Sequence, residues 1–448
     1  MKKPEPTPNS LIDFNKDAKE IVSLMTDVTI QSSLNLIEKD YPYWETFKYK
    51  IKGDSKLKDV NPISLWKIVK LGRNQSASRV LISDVSGFDF KYTSTERSLR
   101  LLHEFDMNLG GNMQGTGIVP QDDKNRYLIS SIMEEAIASS LLEGAATTRE
   151  KAKQMLRSQR EPRNEAEKMV LNNYLTIRRV LELKNEKFSV DLIRNIHATV
   201  TKGTLKNEAN EGSFRSNNEV QVVDSITGEI FYTPPSFELL EKLMEAVCDF
   251  ANEDNESKFI HPIIRGIILH FLIGYIHPFV DGNGRTARAL FYWFLLSRKY
   301  WLIEYLSISR ILLQAPSQYA KAYLHTEFDD NDLTYFIDFN LKTLKQSLTE
   351  LQIYINRTVE DRRKVFSLVI NKDFNERQID IVKDFLRDKD QTISIKEIES
   401  KFGIANQTAR TDLLDLVEKG YVRVRRMGKK MIFFAIEDLE DKLKNKGV

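Results

Sequence analysis

The sequence predicts a mainly α-helical chain that ends in a small domain of helices and short strands. Apolar residues recur at helical spacing over most of residues 127–370, and only short β-rich runs interrupt them. From about residue 371 the pattern changes to short helices that alternate with short strands. We therefore expect three regions, namely 1–126, for which the sequence indicates no role, 127–370 and 371–448.

Composition excludes several classes of protein. The 448 residues are 41% apolar, and 66 Lys and Arg against 64 Asp and Glu leave a net charge of +2, so charge alone does not draw the chain onto nucleic acid or an anionic membrane. One cysteine, Cys248, allows neither an intrachain disulfide nor a thiolate zinc cluster. No apolar run approaches the ~18 residues that span a bilayer, and we expect a soluble, cytoplasmic protein without a membrane partner.

Helical periodicity defines the central region. A helix is expected over 127–143, with Gly144 as its stop signal. Two β-rich runs, 219–224 and 229–233, surround a glycine-containing connection and predict a β-hairpin. Further helices are expected over 165–183, 190–200, 237–251, 262–276 and 285–297, and 300–370 continues as helices.

The most informative stretch is HPFVDGNGRTAR at residues 277–288. A calcium loop is excluded, because aligning Gly282 with the obligatory glycine puts Arg288 where a bidentate Glu belongs. A zinc site made by His270 and His277 also fails, since they are seven residues apart with no third ligand in register. We expect His270 to be a packed helix residue.

A phosphate site fits the same stretch. Gly282 and Gly284 allow backbone N–H groups to approach an anion, and the helix expected from Arg285 points its positive end at the same place. Arg285 and Arg288 are three residues apart, so two guanidiniums suit two phosphates of a nucleotide.

Two neighbouring side chains could add a metal ligand and a proton acceptor to this phosphate site. Asp281 supplies a carboxylate beside the phosphates, which is the usual requirement for Mg²⁺. His277 stands at the entrance of the loop, and its imidazole can take a proton from a hydroxyl nucleophile.

The stretch resembles the signature of the Fic family, H-P-F-x-D/E-G-N-G-R-x-x-R, at every position. The resemblance extends to residues 212–215, 234–235 and 261–262, and covers roughly 127–310. It implies a Fic-type helical core with the hairpin as a flap that holds the target by main-chain pairing. It also implies a protein adenylyltransferase, which moves AMP from ATP to a Ser, Thr or Tyr hydroxyl of a target protein or of the enzyme itself.

The resemblance assigns roles residue by residue. It implies that His277 is the general base and that Asp281 holds Mg²⁺. The remaining nucleotide-binding residues would be the cradle of Gly282, Asn283 and Gly284 and the phosphate ligands Arg285 and Arg288.

A second motif lies upstream. Glu143 ends its helix where the macrodipole disfavours a carboxylate, and Ser139 lies four residues before it on the same face. Residues 139–144 are similar to the inhibitory motif S/T-x-x-x-E-G/N of autoinhibited Fic proteins. The resemblance implies that Glu143 pairs with Arg288 and displaces the γ-phosphate of ATP.

The C-terminal region predicts a winged helix-turn-helix domain. Its expected order is helix 376–386, strand 393–395, helix 396–402, a turn at Gly403, helix 406–419, and strands 421–425 and 430–435. Six basic residues between 419 and 430, together with Asn406, Gln407, Thr408, Arg410 and Thr411, would suit DNA. However, residues 371–448 carry 17 basic and 15 acidic side chains, a net positive charge that is weak for a DNA-binding domain. A role in docking another protein therefore stays open.

Alternatives to the transferase also stay open. One is a DNA-binding regulator whose Fic core senses a nucleotide, and in that case His277 would not matter. Another is an enzyme that removes AMP, with Glu143 orienting a water molecule.

Overall fold

The computed structural model describes residues 2–10, 18–110, 124–223, 227–253, 259–369, 373–387, 391–427 and 430–444. Helices dominate these ranges, and the described strands form small antiparallel sheets. The expected mainly α class is therefore confirmed. Within the described residues, no helix combines the length and the apolar content that crossing a bilayer requires.

The chain divides into two compact units, each made of separated stretches of sequence. The first unit comprises Met1–Gly111, Arg179–Trp301 and Ile311–Lys345, and the second comprises Asn112–Arg178, Leu302–Arg310 and Gln346–Val448. The expected domain boundaries at residues 126 and 370 stay a prediction.

The first unit is helical apart from two hairpins. One hairpin pairs Ser78–Leu81 with Asp89–Tyr92, and the other pairs Val222–Val223 with Ile230–Tyr232. The described α-helices that lie wholly within it are Ala18–Thr26, Val28–Glu38, Trp44–Gly53, Pro62–Ser76, Glu96–Leu109, Val190–Thr201, Leu240–Asn252, Pro262–Ile276, Asn283–Ser297 and Pro316–Phe328.

The helix Pro262–Ile276, here the central helix, forms the core of the first unit. Pro262 occupies its first turn, and the His261 side chain accepts a hydrogen bond from the Ile263 N–H at 3.2 Å, so the helix begins as predicted. Apolar residues surround it on nearly all sides, which is typical of a buried helix. Gly266 lets it approach the helix Asn283–Ser297, the motif helix, because a Cβ there would lie 3.1 Å from a ring carbon of Phe294.

His270 is part of this core, as expected. It is 1% exposed, and its Nε2 lies 2.7 Å from the Tyr319 hydroxyl. Burial, together with the nearby charge of Arg288, lowers its pKa to about 3.

The second unit contains, wholly or in part, nine described α-helices and one three-stranded sheet. The helices are Lys124–Leu142, Arg149–Arg157, Glu165–Leu183, Ile308–Gln314, Thr334–Val369, Glu376–Arg387, Ile395–Phe402, Asn406–Glu418 and Leu439–Lys444. The sheet places Lys430–Ala435 between Thr392–Ser394 and Val422–Met427, with both neighbours antiparallel.

The C-terminal elements follow the predicted order. Helix Ile395–Phe402 begins with a capping box made by Ser394 and Glu397, and Gly403 ends it in the left-handed region at φ 63°. An apolar core joins these helices to the sheet through Leu413 and Phe433, both fully buried. The winged helix-turn-helix assignment itself stays a prediction.

Some predicted bounds were wrong. The first strand of the second hairpin begins at Val222 rather than at 219, because the Asn217 side chain accepts the Glu219 N–H in a local turn. Its second strand is Ile230–Tyr232 rather than 229–233, and residue 224 of the predicted hairpin lies outside the described residues. The motif helix begins at Asn283 rather than Arg285, because Gly282 already serves as its N-cap.

We predict a pH-dependent contribution of His270 to stability. Its folded pKa is lowered, so the unfolded chain binds a proton that the folded chain does not, and stability is lost as the pH falls below the unfolded value near ~6.5. The destabilisation caused by His270→Gln at pH 7 should therefore shrink by about 1 to 2 kcal/mol at pH 5 in urea unfolding. His103→Gln on an exposed helix face is the control. A pH-independent difference for His270→Gln would contradict the prediction.

Candidate active site

The motif loop, residues 277–282, joins the central helix to the motif helix. His277 ends the central helix with φ 51° and ψ 58°, a left-handed conformation that is uncommon outside glycine. Its Nδ1 lies 3.1 Å from the Gly274 carbonyl oxygen. Because a carbonyl only accepts, Nδ1 carries the hydrogen, and Nε2 holds the lone pair when the ring is neutral. The half-buried imidazole is thus oriented for proton transfer at Nε2.

Gly282 is required by both conformation and packing. Its φ is 80°, and a Cβ would lie 2.6 Å from the Thr201 side chain and 3.3 Å from His197 Nε2. A side chain here would therefore push the loop away from helix Val190–Thr201.

His197 fixes the loop from that helix and was missed by sequence reasoning. Its Nδ1 accepts the Gly212 N–H at 2.9 Å, so its Nε2 carries the hydrogen and donates to the Asp281 carbonyl at 2.8 Å. Its ring stacks on Phe279 with centroids 3.6 Å apart. Burial lowers its pKa to about 4, with the Arg285 charge acting in the same direction, and the neutral ring matches both bonds. The sequence feature that could have indicated His197 is its position on the buried face of an amphipathic helix.

Arg215 ties the loop to the hairpin. Its Nε donates to the His277 carbonyl at 3.0 Å, and its own N–H donates to the Pro278 carbonyl at 2.9 Å. The guanidinium also donates to the carbonyls of Asn217 and Pro235, which flank the hairpin. The sequence indicated Arg215 only as part of the wider resemblance, without this role.

Asn283 closes the loop on itself. Its side-chain amide donates to the Phe279 carbonyl at 2.8 Å and accepts the Phe279 N–H at 2.9 Å. The side chain is 2% exposed. Any part of Asn283 in the predicted phosphate cradle must therefore be its backbone.

Charged groups surround the start of the motif helix. Arg285 and Arg288 are both buried, and Arg285 donates to the Val200 carbonyl at 3.3 Å. Asp281 lies 3.7 Å from Arg285, accepts the Gly282 N–H at 2.6 Å, and remains 63% exposed. Its carboxylate is therefore anchored and still accessible to a cation.

These residues fit Mg²⁺ that arrives with phosphates. Among the residues that the structure describes, no group of three or more His, Cys, Asp or Glu could hold a metal. Mg²⁺ commonly uses one or two carboxylates together with phosphate oxygens and water, and Asp281 offers such a carboxylate.

The two upstream residues lie in the second unit. Ser139 is buried in helix Lys124–Leu142, the upstream helix, whereas Glu143 is exposed one residue beyond its end. Gly144 follows with φ 86°, which matches the predicted helix stop. Arg288 belongs to the first unit, and its pairing with Glu143 stays a prediction.

Comparison with known proteins identifies the segment that carries this loop. Residues 187–295 match the model of the Fic/DOC family, and they form a Fic domain. Protein adenylyltransferase Fic from Nematostella vectensis is 39% identical over 107 residues, which cover 24% of this chain and 22% of that protein. Protein adenylyltransferase fic-1 from Caenorhabditis elegans is 31% identical over 111 residues, or 25% and 20% of the two chains. The chain thus spans about a fifth of the length of the curated relatives it matches.

Solved structures show a weaker likeness. A Fic family protein from Desulfovibrio desulfuricans G20 gives a TM-score of 0.47 at 17% identity, over 77% of this chain and 98% of that one. Fic-1 from C. elegans gives 0.46 at 17% identity, over 71% and 82%.

We predict that Gly282→Ala lowers the melting temperature more than Gly228→Ala. Both glycines have positive φ, 80° and 71°, so both variants lose about 1 kcal/mol of backbone conformational energy. A Cβ at position 228 meets nothing within 4 Å, whereas one at 282 meets Thr201 and should cost about 1 to 3 kcal/mol more. Thermal unfolding followed by circular dichroism measures the difference. Equal melting temperatures would show that the contact at Thr201 is not a constraint.

Proposed function

We propose that this chain is a protein adenylyltransferase that moves AMP from ATP to a hydroxyl side chain of a target protein. The observation that carries the proposal is the complete HPFVDGNGRTAR stretch, folded as a loop at the start of a buried helix. The relatives that match this segment are named as protein adenylyltransferases, which supports the same activity.

The proposed reaction uses His277 as general base. Its Nε2 takes the proton of a target Ser, Thr or Tyr hydroxyl while the hydroxyl oxygen bonds to the α-phosphorus of ATP. The bond from that phosphorus to the bridging oxygen breaks, and pyrophosphate leaves with the electron pair. The bond between Nδ1 and the Gly274 carbonyl supports this role, because it orients the ring.

The nucleotide would be held by backbone and cationic groups. Gly282 and Gly284 would contribute N–H groups at the positive end of the motif helix, and Arg285 and Arg288 would bind the outer phosphates. Mg²⁺ held by Asp281 would neutralise charge on the phosphate oxygens. The accessible carboxylate of Asp281 supports this assignment.

The hairpin would hold the target. Val223 and Ile230 lie on its two strands and are 48% and 45% exposed. A short exposed hairpin can pair its main chain with an extended segment without requiring one sequence. This property suits a target protein and also a segment of the enzyme itself.

Glu143 would keep the enzyme inactive. A carboxylate paired with Arg288 neutralises a guanidinium that the γ-phosphate needs, and its own charge repels the triphosphate. The exposed position of Glu143 just after the C-terminal end of a helix supports this proposal. The helix dipole is negative at that end and does not stabilise a carboxylate, so a cationic partner would be favourable.

A DNA-binding regulator is the second candidate. Arg423, Arg425 and Arg426 are exposed on strand Val422–Met427, and Asn406, Gln407, Arg410 and Thr411 are exposed on helix Asn406–Glu418. These side chains could contact phosphates and base edges. The two candidates differ in whether His277 is needed for function.

We predict that Glu143→Gly activates the enzyme at least tenfold, because Arg288 becomes available to the γ-phosphate. Parent and variant are incubated with Mg²⁺ and ATP labelled at the α-phosphate, and label is measured on the protein itself and on a lysate. Adding His277→Ala should abolish the labelling without preventing nucleotide binding.

Glu161→Gly, an exposed glutamate outside the motif, is the matched control and should label like the parent. Equal labelling by the parent and by Glu143→Gly would contradict the inhibitory role. A Glu143→Gly protein that can no longer strip AMP from a modified protein would assign Glu143 to the hydrolytic reaction instead. Labelling that survives His277→Ala would contradict the transferase mechanism.

A further inference from the structure

Five helices of the second unit enclose a strongly cationic cavity of about 240 Å³. Five basic side chains line it, against one carboxylate, that of Asp384. The chain as a whole has 66 basic and 64 acidic residues, so this ratio is a local concentration of positive charge rather than a general property. The five basic residues are Lys153, Arg157, Arg357, Lys383 and Lys401.

Neighbouring acids compensate only part of this charge. Lys401 is bonded to Asp384, and Lys153 donates to Glu134 at 2.7 Å. Glu134 is shared with Arg149, which it binds through both oxygens at 2.7 Å. Arg157 and Arg357 form no salt bridge within the described part of the chain. The cavity therefore keeps a positive excess.

The cations line a concave surface, on which Lys153 and Lys401 are partly buried and Arg157 and Arg357 are exposed. The cations come from four different helices, Arg149–Arg157, Thr334–Val369, Glu376–Arg387 and Ile395–Phe402, so the fold brings them together across a gap. Burial lowers the pKa of Lys153, and the like charges of Arg157 and Arg149 lower it further. An anion between these groups would relieve their repulsion, and low-dielectric walls would strengthen its binding.

The dimensions favour a small ligand. The cavity is too small for a folded partner, and its walls also carry the hydroxyls of Ser130 and Tyr354. Both residues, with Lys153 and Arg157, also line a neighbouring cavity of about 310 Å³. That second cavity adds Arg149 and Arg310 together with two carboxylates, since Glu134 binds Arg149 and Glu350 lies 3.5 Å from Arg310. The positive excess therefore belongs to the first cavity. A chain of linked phosphates matches a run of separated cations better than one compact anion does.

We propose that this cavity binds a small polyphosphate anion, at a site separate from the motif loop. The ligand would contact Arg157 and Arg357 as its main cationic partners. It would also lie against the upstream helix, since Ile129, Ser130 and Met133 form part of the wall. A bound anion would therefore connect the upstream helix with the C-terminal helices inside one unit.

Calorimetric titration of the full chain with sodium tripolyphosphate at constant ionic strength tests the site. The titration uses an Arg288→Ala background, which removes one of the two proposed arginine ligands of the motif loop and so weakens phosphate binding there. We expect one-to-one binding that Arg157→Gln with Arg357→Gln weakens at least tenfold. Both arginines are exposed, so unfolding is not expected, and the melting temperature checks this.

The matched control is Arg163→Gln with Arg178→Gln, which removes the same charge from exposed arginines of the same unit outside the cavity. Its affinity should stay within twofold of the background protein. An equal loss of tripolyphosphate affinity in the two double variants would show that the anion is attracted by overall charge, and would contradict a specific site in the cavity. Absence of binding at millimolar tripolyphosphate would also overturn it, as would binding of a short DNA duplex but not of tripolyphosphate.

Discussion

Two hydrogen bonds made by His197 hold together the part of the molecule on which the site depends. One side of the ring accepts the Gly212 N–H, and the other donates to the Asp281 carbonyl, so each nitrogen has a fixed role. Only the neutral ring can form both bonds, and burial keeps it neutral by lowering its pKa to about 4. The same close approach excludes a Cβ at Gly282. Helix Val190–Thr201, the segment before the hairpin and the motif loop are therefore fixed as one piece.

Arg215 and Asn283 add further hydrogen bonds to the motif loop. The loop is therefore held in its conformation by contacts within the protein. Arg215 binds the carbonyls of His277 and Pro235, and Asn283 binds both backbone groups of Phe279. None of these contacts needs a ligand, so the loop loses its conformational entropy when the protein folds and not when the nucleotide binds. A preorganised arrangement of N–H groups and cations stabilises charge without reorganisation when the nucleotide arrives.

The sequence predicted what depends on local patterns and missed what depends on distant contacts. The bounds of the central helix were right, because Pro262 begins it and the loop residues end it. His197 and Arg215 could not be assigned their roles, since His197 meets Asp281 across 84 positions and Arg215 meets His277 across 62. Asn283 was expected in the phosphate cradle, yet its side chain closes the loop, which no pattern of spacing indicates. The functions of the site residues stay predictions for a different reason, because those functions depend on contacts with a bound nucleotide.

A preorganised motif loop can be tested with a crystal structure of the Glu143→Gly variant that contains Mg²⁺ and an ATP analogue with methylene between the α- and β-phosphorus atoms. We expect the loop to keep its backbone conformation, with Gly282 still near φ 80°. We also expect the outer phosphates beside Arg285 and Arg288, Mg²⁺ at Asp281, and the α-phosphorus facing His277 Nε2. A nucleotide bound elsewhere, or a loop that must rearrange to receive it, would show that the loop is not a preformed nucleotide site.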